Sequence, residues 1–147
     1  MCYMTYKHTQ IGYLMIVIDI ILALYFVFLF VQKELNIIAI IIMSIIILIL
    51  ASFATLTVSV DHDYVKIKFG YGIFRKKFSA KEITSVKAVK NHWYYGWGIK
   101  YVFWKPMWVF NVSGFDAIEI KMVNKKTYRI GTDEPEKLEK AVNKVIR

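Results

Sequence analysis

Cysteine is almost absent from this 147-residue chain: Cys2 is the single thiol, so no disulfide forms within it, and no paired Cys/His spacing suggests zinc. One free thiol fits a reducing, cytoplasmic side. Catalytic signatures are missing as well. There is no phosphate-cradling glycine loop, no nucleophile elbow and no His-Glu-x-x-His. Asp61-His62-Asp63 groups metal-ligating residue types, but three adjacent ligands in a turn do not readily converge on one ion, so it reads as a turn. His8 precedes the first apolar run, and His92 has no carboxylate or thiol partner in the sequence. No recognised nucleic-acid motif accompanies the basic charge. These absences point away from an enzyme, a metal centre, a bound cofactor and a nucleic-acid partner.

Charge is also missing from one half of the chain. Of the 20 Lys/Arg and 11 Asp/Glu, 18 and 9 lie after residue 60, so the whole net charge of +9 belongs to the C-terminal part. Hydrophobic residues make up 57%, against roughly 45–50% in soluble domains, and they crowd into residues 11–60. That split reads as a membrane anchor followed by a basic domain.

Residues 11–31 hold 21 residues and one charge, Asp19. At about 1.5 Å per residue they reach roughly 31 Å, the thickness of a bilayer core. Gln32, Lys33, Glu34 and Asn36 form a polar break, and residues 37–56 carry no charge. The pattern predicts a hairpin of two membrane spans over residues 1–56. A small domain could not hide two such segments on all sides. The first run is longer than the roughly 7–15 residues of a secretory core. Positive residues flank the pair at Lys7 and at Lys66, Lys68 and Arg75-Lys76-Lys77, so both termini are expected to be cytoplasmic in a two-span, multi-pass protein of the cell membrane. Tyr6 and Tyr13 are placed for the inner interface.

Asp19 costs about 2.5–3.5 kcal/mol at a span centre, while the fifteen Ile, Leu, Val and Phe of the same span return roughly 7 kcal/mol. It reads either as a proton or ion site or as a protonated carboxyl hydrogen-bonded across the hairpin, towards Ser52 or Thr55, or within a homo-oligomer. No second acid or base lies in either span to form a relay, which favours the structural role, with Ser44 as a second polar contact between helices.

From residue 57 to 147 the apolar period changes to two. Alternating runs at 56–60, 65–69, 73–78, 83–89, 108–112, 118–122 and 127–130 predict about seven antiparallel strands, separated by turns at Asp61-His62-Asp63, Gly70-Tyr71-Gly72, Ser113-Gly114 and Asn124-Lys125. The last segment predicts one helix. Asp133 stands as N-cap with Glu136 as its capping-box partner, Leu138, Ala141, Val142, Val145 and Ile146 form one stripe, and Lys140, Lys144 and Arg147 complement the C-terminus.

Seven short strands closed by a helix outline a pleckstrin-homology (PH) fold. The chain resembles bacterial two-span membrane proteins with a C-terminal PH-like domain. The stretches that carry the resemblance are Trp93-Tyr94-Tyr95-Gly96-Trp97-Gly98-Ile99, Asn111-Val112-Ser113-Gly114 with Ala117, Arg129-Ile130-Gly131-Thr132-Asp133-Glu134-Pro135, and strand-like Val65 to Lys77. It covers roughly residues 54–147 and the preceding hairpin, and it implies a PH-like domain held at a membrane, with no reaction. Where phosphoinositide-binding PH domains have a basic first loop, this chain has Asp61-His62-Asp63, which would repel phosphates.

Two constellations remain as binding candidates. The basic set comprises Lys66, Lys68, Arg75, Lys76, Lys77, Lys81, Lys87 and Lys90, with Lys66 and Lys68 on one strand face. It suits an anionic lipid leaflet, and equally a solvated face that obeys the positive-inside rule. The aromatic segment 92–110, interrupted by Gly96, Gly98 and Lys105-Pro106, reads as a long loop. Trp108 and Phe110 are expected in the core, with Trp93, Trp97 and Trp104 exposed for headgroups or a membrane-protein partner. The expectation is therefore a non-enzymatic module docking to anionic lipid or to such a partner. The other reading is a structural subunit assembled through its helices.

Overall fold

A computed structural model describes residues 5–146; Cys2 and Arg147 lie outside them. The chain begins with a strand that periodicity does not announce, β1 (Tyr6–Ile11), and then enters α1 (Tyr13–Val31) and α2 (Ile37–Ser52). It returns to pair β2 (Thr55–Val60) antiparallel with β1, from Tyr6 opposite Val60 to Ile11 opposite Thr55. The helical pair is thus an insertion between two neighbouring strands. Gly12 N–H donates to Ala54 O at 2.7 Å and closes the base of the insertion. A Cβ at Gly12 would stand 2.9 Å from Val112 O, so the residue there must be small.

α1 has 19 residues, a mean hydropathy of 3.0 and no buried residue, which makes it long and apolar enough to cross a membrane. α2 is apolar all round but has 16 residues, about 24 Å. The expected second span to residue 56 is found as a helix only as far as Ser52, whose Oγ donates to Ile49 O at 2.6 Å, so among the described residues α1 alone has the length of a span. From Thr55 the β-branched, hydroxyl-alternating sequence extends as β2 instead. The first span also starts at Tyr13 and not at residue 11, because Ile11 belongs to β1.

β3 (Tyr64–Phe69) and β4 (Phe74–Ser79) complete a four-stranded antiparallel sheet in the order β1-β2-β3-β4. A second sheet contains β5 (Ile83–Lys90), β6 (Gly98–Val102), β7 (Met107–Asn111), β8 (Asp116–Met122) and β9 (Thr127–Gly131), in the order β5-β8-β9-β7-β6. All seven expected strands are present within a residue or two, and β1 and β6 are additional. The expectation of a wholly antiparallel set fails at one pair. β9 inserts between β8 and β7 and lies parallel to β7.

One core joins the sheets. Leu56, Val58, Val60, Val65, Ile67 and Phe69 face Phe110, Ile118, Ile120 and Ile130, and α3 (Pro135–Val145) adds Leu138, Ala141 and Val142. Asp133 does not cap α3. No side chain does, because Asp133 Oδ1 is 2.5 Å from His8 Nε2 on β1. Tyr6 lies on β1, and its hydroxyl donates to Glu134 Oε2 at 3.2 Å. Further along β1, Gln10 Nε2 donates to Ser113 O, and Gly12 meets Val112. Passing from Tyr6 to Gly12, the strand therefore meets first the β9–α3 connection and then the β7–β8 connection. The second sheet lies crosswise, with β7 and its neighbour β6 on the side of the helical pair.

Candidate functional site

Antiparallel register sets the outward residues of β1–β4 in rows. One row reads Lys7, Ser59, Lys66, Lys77, and the next Thr9, Thr57, Lys68, Arg75. The inward neighbours Val58, Val65, Ile67 and Phe69 are buried, which fixes the register and holds the rows outward. The outward positions of this sheet carry five cations and no acid. With Thr57 and Ser59 they line a concavity of about 540 Å³. Lys66 faces Lys77, and Lys68 faces Arg75, and like charges directly opposite on neighbouring strands are destabilising. An anion seated between them relieves that repulsion and accepts charge-assisted hydrogen bonds.

Local contacts hold these side chains in place. Lys66 pairs with Asp61, a buried carboxylate of the Asp61-His62-Asp63 turn. Lys77 Nζ lies 4.6 Å from the Tyr64 ring centroid, and Arg75 Nε donates to Gly72 O at 2.6 Å. Thr9 and Thr57 hydroxyls share a 2.9 Å hydrogen bond.

Strand alternation divides the basic set read from the sequence. Lys76 points to the other face of β4, its ammonium 5.1 Å from the Tyr128 ring centroid and 5.8 Å from that of Phe78. Lys81 is exposed in the 3-10 turn Ala80–Glu82. Lys87 stands opposite Glu119 and Lys90 opposite Asp116. Both therefore have acidic cross-strand neighbours, and Arg129 Nη2 is 2.9 Å from Glu119 Oε2. Lys7, which completes the cationic face, is separated from it in sequence by the whole helical pair, and only the register of β1 reveals it.

The aromatic expectations hold in part. Phe110 is in the core at 5% exposure, but Trp108 is 41% exposed, because it lies on β7 where the second sheet overhangs β4. Trp93 and Trp104 are exposed at 78% and 65% and bracket Tyr94, whereas Trp97 is half-buried. The segment is not a uniform loop. Tyr95 is buried over β6 and β7 with Val102, Met107 and Val109, a second small core. Burial raises the Tyr95 phenol above its ordinary value despite the Arg129 charge nearby.

In the helices, Ser44 Oγ donates to Ile40 O at 2.8 Å and so serves its own helix. Asp19 Oδ1 is buried without a hydrogen-bond partner, and Ser52 does not reach it. Among the described residues no group of three or more His, Cys, Asp or Glu is placed to hold a metal ion. No protein-family model, curated protein or solved structure matches the chain.

Proposed function

We propose that the chain is a membrane-anchored, PH-like binding module whose cationic sheet face docks to anionic lipid of the inner leaflet. In this reading both helices cross the bilayer and both termini are cytoplasmic. The observation that carries it is the outer face of β1–β4, with five cations, three hydroxyls and no acid in two registered rows. The bond from Gly12 to Ala54 supports the hairpin, because the chain enters and leaves the apolar pair at one point. α2 at about 24 Å is shorter than a bilayer core of roughly 30 Å, a mismatch met by local thinning or flanking polar residues. The PH-like assignment rests on the resemblance, on two packed sheets and on a C-terminal helix. A membrane-protein partner with an acidic surface is the other occupant of the same face.

Distance along β1 orders the charges. The row of Lys68 and Arg75 is three strand residues from Gly12, at most about 10 Å, and the row of Lys7 and Lys77 is five, at most about 17 Å. With a screening length near 8 Å at physiological salt, the nearer row feels the leaflet more. Hydrogen exchange of residues 64–79 in reconstituted full-length protein should slow in anionic vesicles relative to neutral ones. Lys68→Gln with Arg75→Gln should remove more of that protection than Lys7→Gln with Lys77→Gln. Equal exchange in both vesicle types would discard lipid docking.

A second reading is favoured by the unpartnered Asp19 Oδ1: a structural subunit assembled through its helices, where a second copy or another membrane protein satisfies the carboxyl. Cross-linking in membranes tests it, since Asp19→Asn must lower the oligomer population if Asp19 mediates assembly.

A further inference from the structure

The two openings between the sheets differ. Where β5 and β8 meet β2, α3 lies across the gap and fills it with Leu138, Ala141 and Val142. On the side of the helical pair, the edge strands β4 and β6 flank a cleft of about 250 Å³. Its walls are Phe69, Ile73, Phe74, Ile99, Trp108 and Phe110. Lys76 stands at the rim, Arg75 beside it on β4 turns its side chain to the outward face, and no acidic side chain lines the cleft. Phe74 stacks on Phe53 at 5.0 Å between ring centroids, and Phe53 is the residue that ends α2. The cleft therefore opens beside the point where the chain leaves the apolar pair.

Size, polarity and place together select an occupant. A helix with its side chains is about 10–12 Å across and is too wide for this space. The volume is just under the roughly 300–1,000 Å³ of sites for drug-sized molecules, which suits a narrow aliphatic chain. Apolar walls gain by burial of such a chain. A cation at the rim, the Lys76 ammonium over the Phe78 and Tyr128 rings, selects an anionic head. An amphiphile of that description is present at high concentration in the bilayer that α1 enters.

We infer that the cleft between β4 and β6 receives one acyl chain of an anionic phospholipid from the adjacent leaflet, with Lys76 holding its phosphate. This rests on the reading of the chain as a membrane-anchored module and names the ligand class of its site. The basic face of β1–β4 attracts the leaflet, and the cleft selects a single lipid from it.

Trp108 provides the readout. In full-length protein carrying Trp93→Phe, Trp97→Phe and Trp104→Phe, its emission is followed in phosphatidylcholine nanodiscs. These contain a small fraction of acyl-brominated phosphatidylglycerol or, separately, acyl-brominated phosphatidylcholine. One cation at an anionic surface is worth about fivefold, so the phosphatidylglycerol should quench roughly fivefold more effectively per lipid. Lys76→Gln should abolish the difference. A version retaining only Trp93 should not distinguish the two lipids. In the chain with all four tryptophans, phosphatidylglycerol retained through detergent exchange should fall when Ile99→Trp fills the cleft. Equal quenching of Trp108 by the two lipids, or none, overturns the inference. Hydrogen exchange of β3 and β4 in the same nanodiscs separates the claims. Slowed exchange with an unquenched Trp108 overturns the cleft alone, and unchanged exchange with an unquenched Trp108 overturns the docking reading as well.

Discussion

Glu134 ties the first strand to the last helix. Its carboxylate is held below its ordinary value of 4.5, first by the hydrogen bond from Lys137, then by that from Tyr6 and by the charges of Lys137 and His8, against some desolvation. Lys137 is raised by the same pair, and Tyr6 is raised by burial and by Glu134, so its phenol stays a donor well into alkali. A carboxylate depressed in the folded state adds stability above its unfolded value, and that stability is lost as pH falls through the folded value. Glu134→Gln should therefore lower the melting temperature of the detergent-solubilised protein near neutrality, and the gap should close in acid as pH falls through the depressed value. A gap that persists in acid would show that the carboxylate charge does not hold β1. Nothing in the sequence announces this clasp, because its members lie more than a hundred positions apart and Asp133 reads more naturally as a helix cap.

The elements with alternating or stripe periodicity are the ones the sequence makes legible. β2 and β3 bury every second residue, and α3 buries Leu138, Ala141 and Val142 where its stripe lies. β1 is hidden for a physical reason: its inward side chains are Tyr6, His8 and Gln10, which are polar and find partners in the β9–α3 and β7–β8 connections, while Lys7, Thr9 and Ile11 point out. β6 is hidden by Gly98 at its start and by the turn through Lys105-Pro106. α2 reads too long, because continuous apolarity does not distinguish a helix from the strand that follows it. α3 is short, at 11 residues, and no side chain caps its start. An isolated helix of that length is marginal, so its order comes from packing. Leu138 is fully buried, and Leu138→Ala should cost about 2–5 kcal/mol in denaturant unfolding. A cost under about 1 kcal/mol would mean that α3 is dispensable to the core.

At the scale of the whole molecule, the apolar pair interrupts a sheet rather than preceding a domain. The sheet-forming part draws on residues from both sides of α1 and α2, and Lys7 on β1 completes the cationic face with residues of β3 and β4. A chain starting at residue 57 lacks β1 and the first residues of β2. It exposes the β2 edge and leaves Glu134, Asp133 and Ser113 O without their β1 partners. Replacing residues 12–54 by Asn-Gly preserves all of these, because Ile11 and Thr55 are already opposite one another and a two-residue turn suits such a hairpin. The expected outcome is a sharp contrast in lysates spun without detergent. The full chain should sediment with membranes, the Asn-Gly version should stay in the supernatant and melt cooperatively as a β-rich protein, and the chain from residue 57 should be insoluble or melt without cooperativity. A full chain in the supernatant would remove lipid as the solvent of α1. Equal melting of the two shortened chains would remove β1 from the folding unit. Both results bear on function, since the anchor and the cationic face share one strand and one hydrogen-bonded base at Gly12 and Ala54.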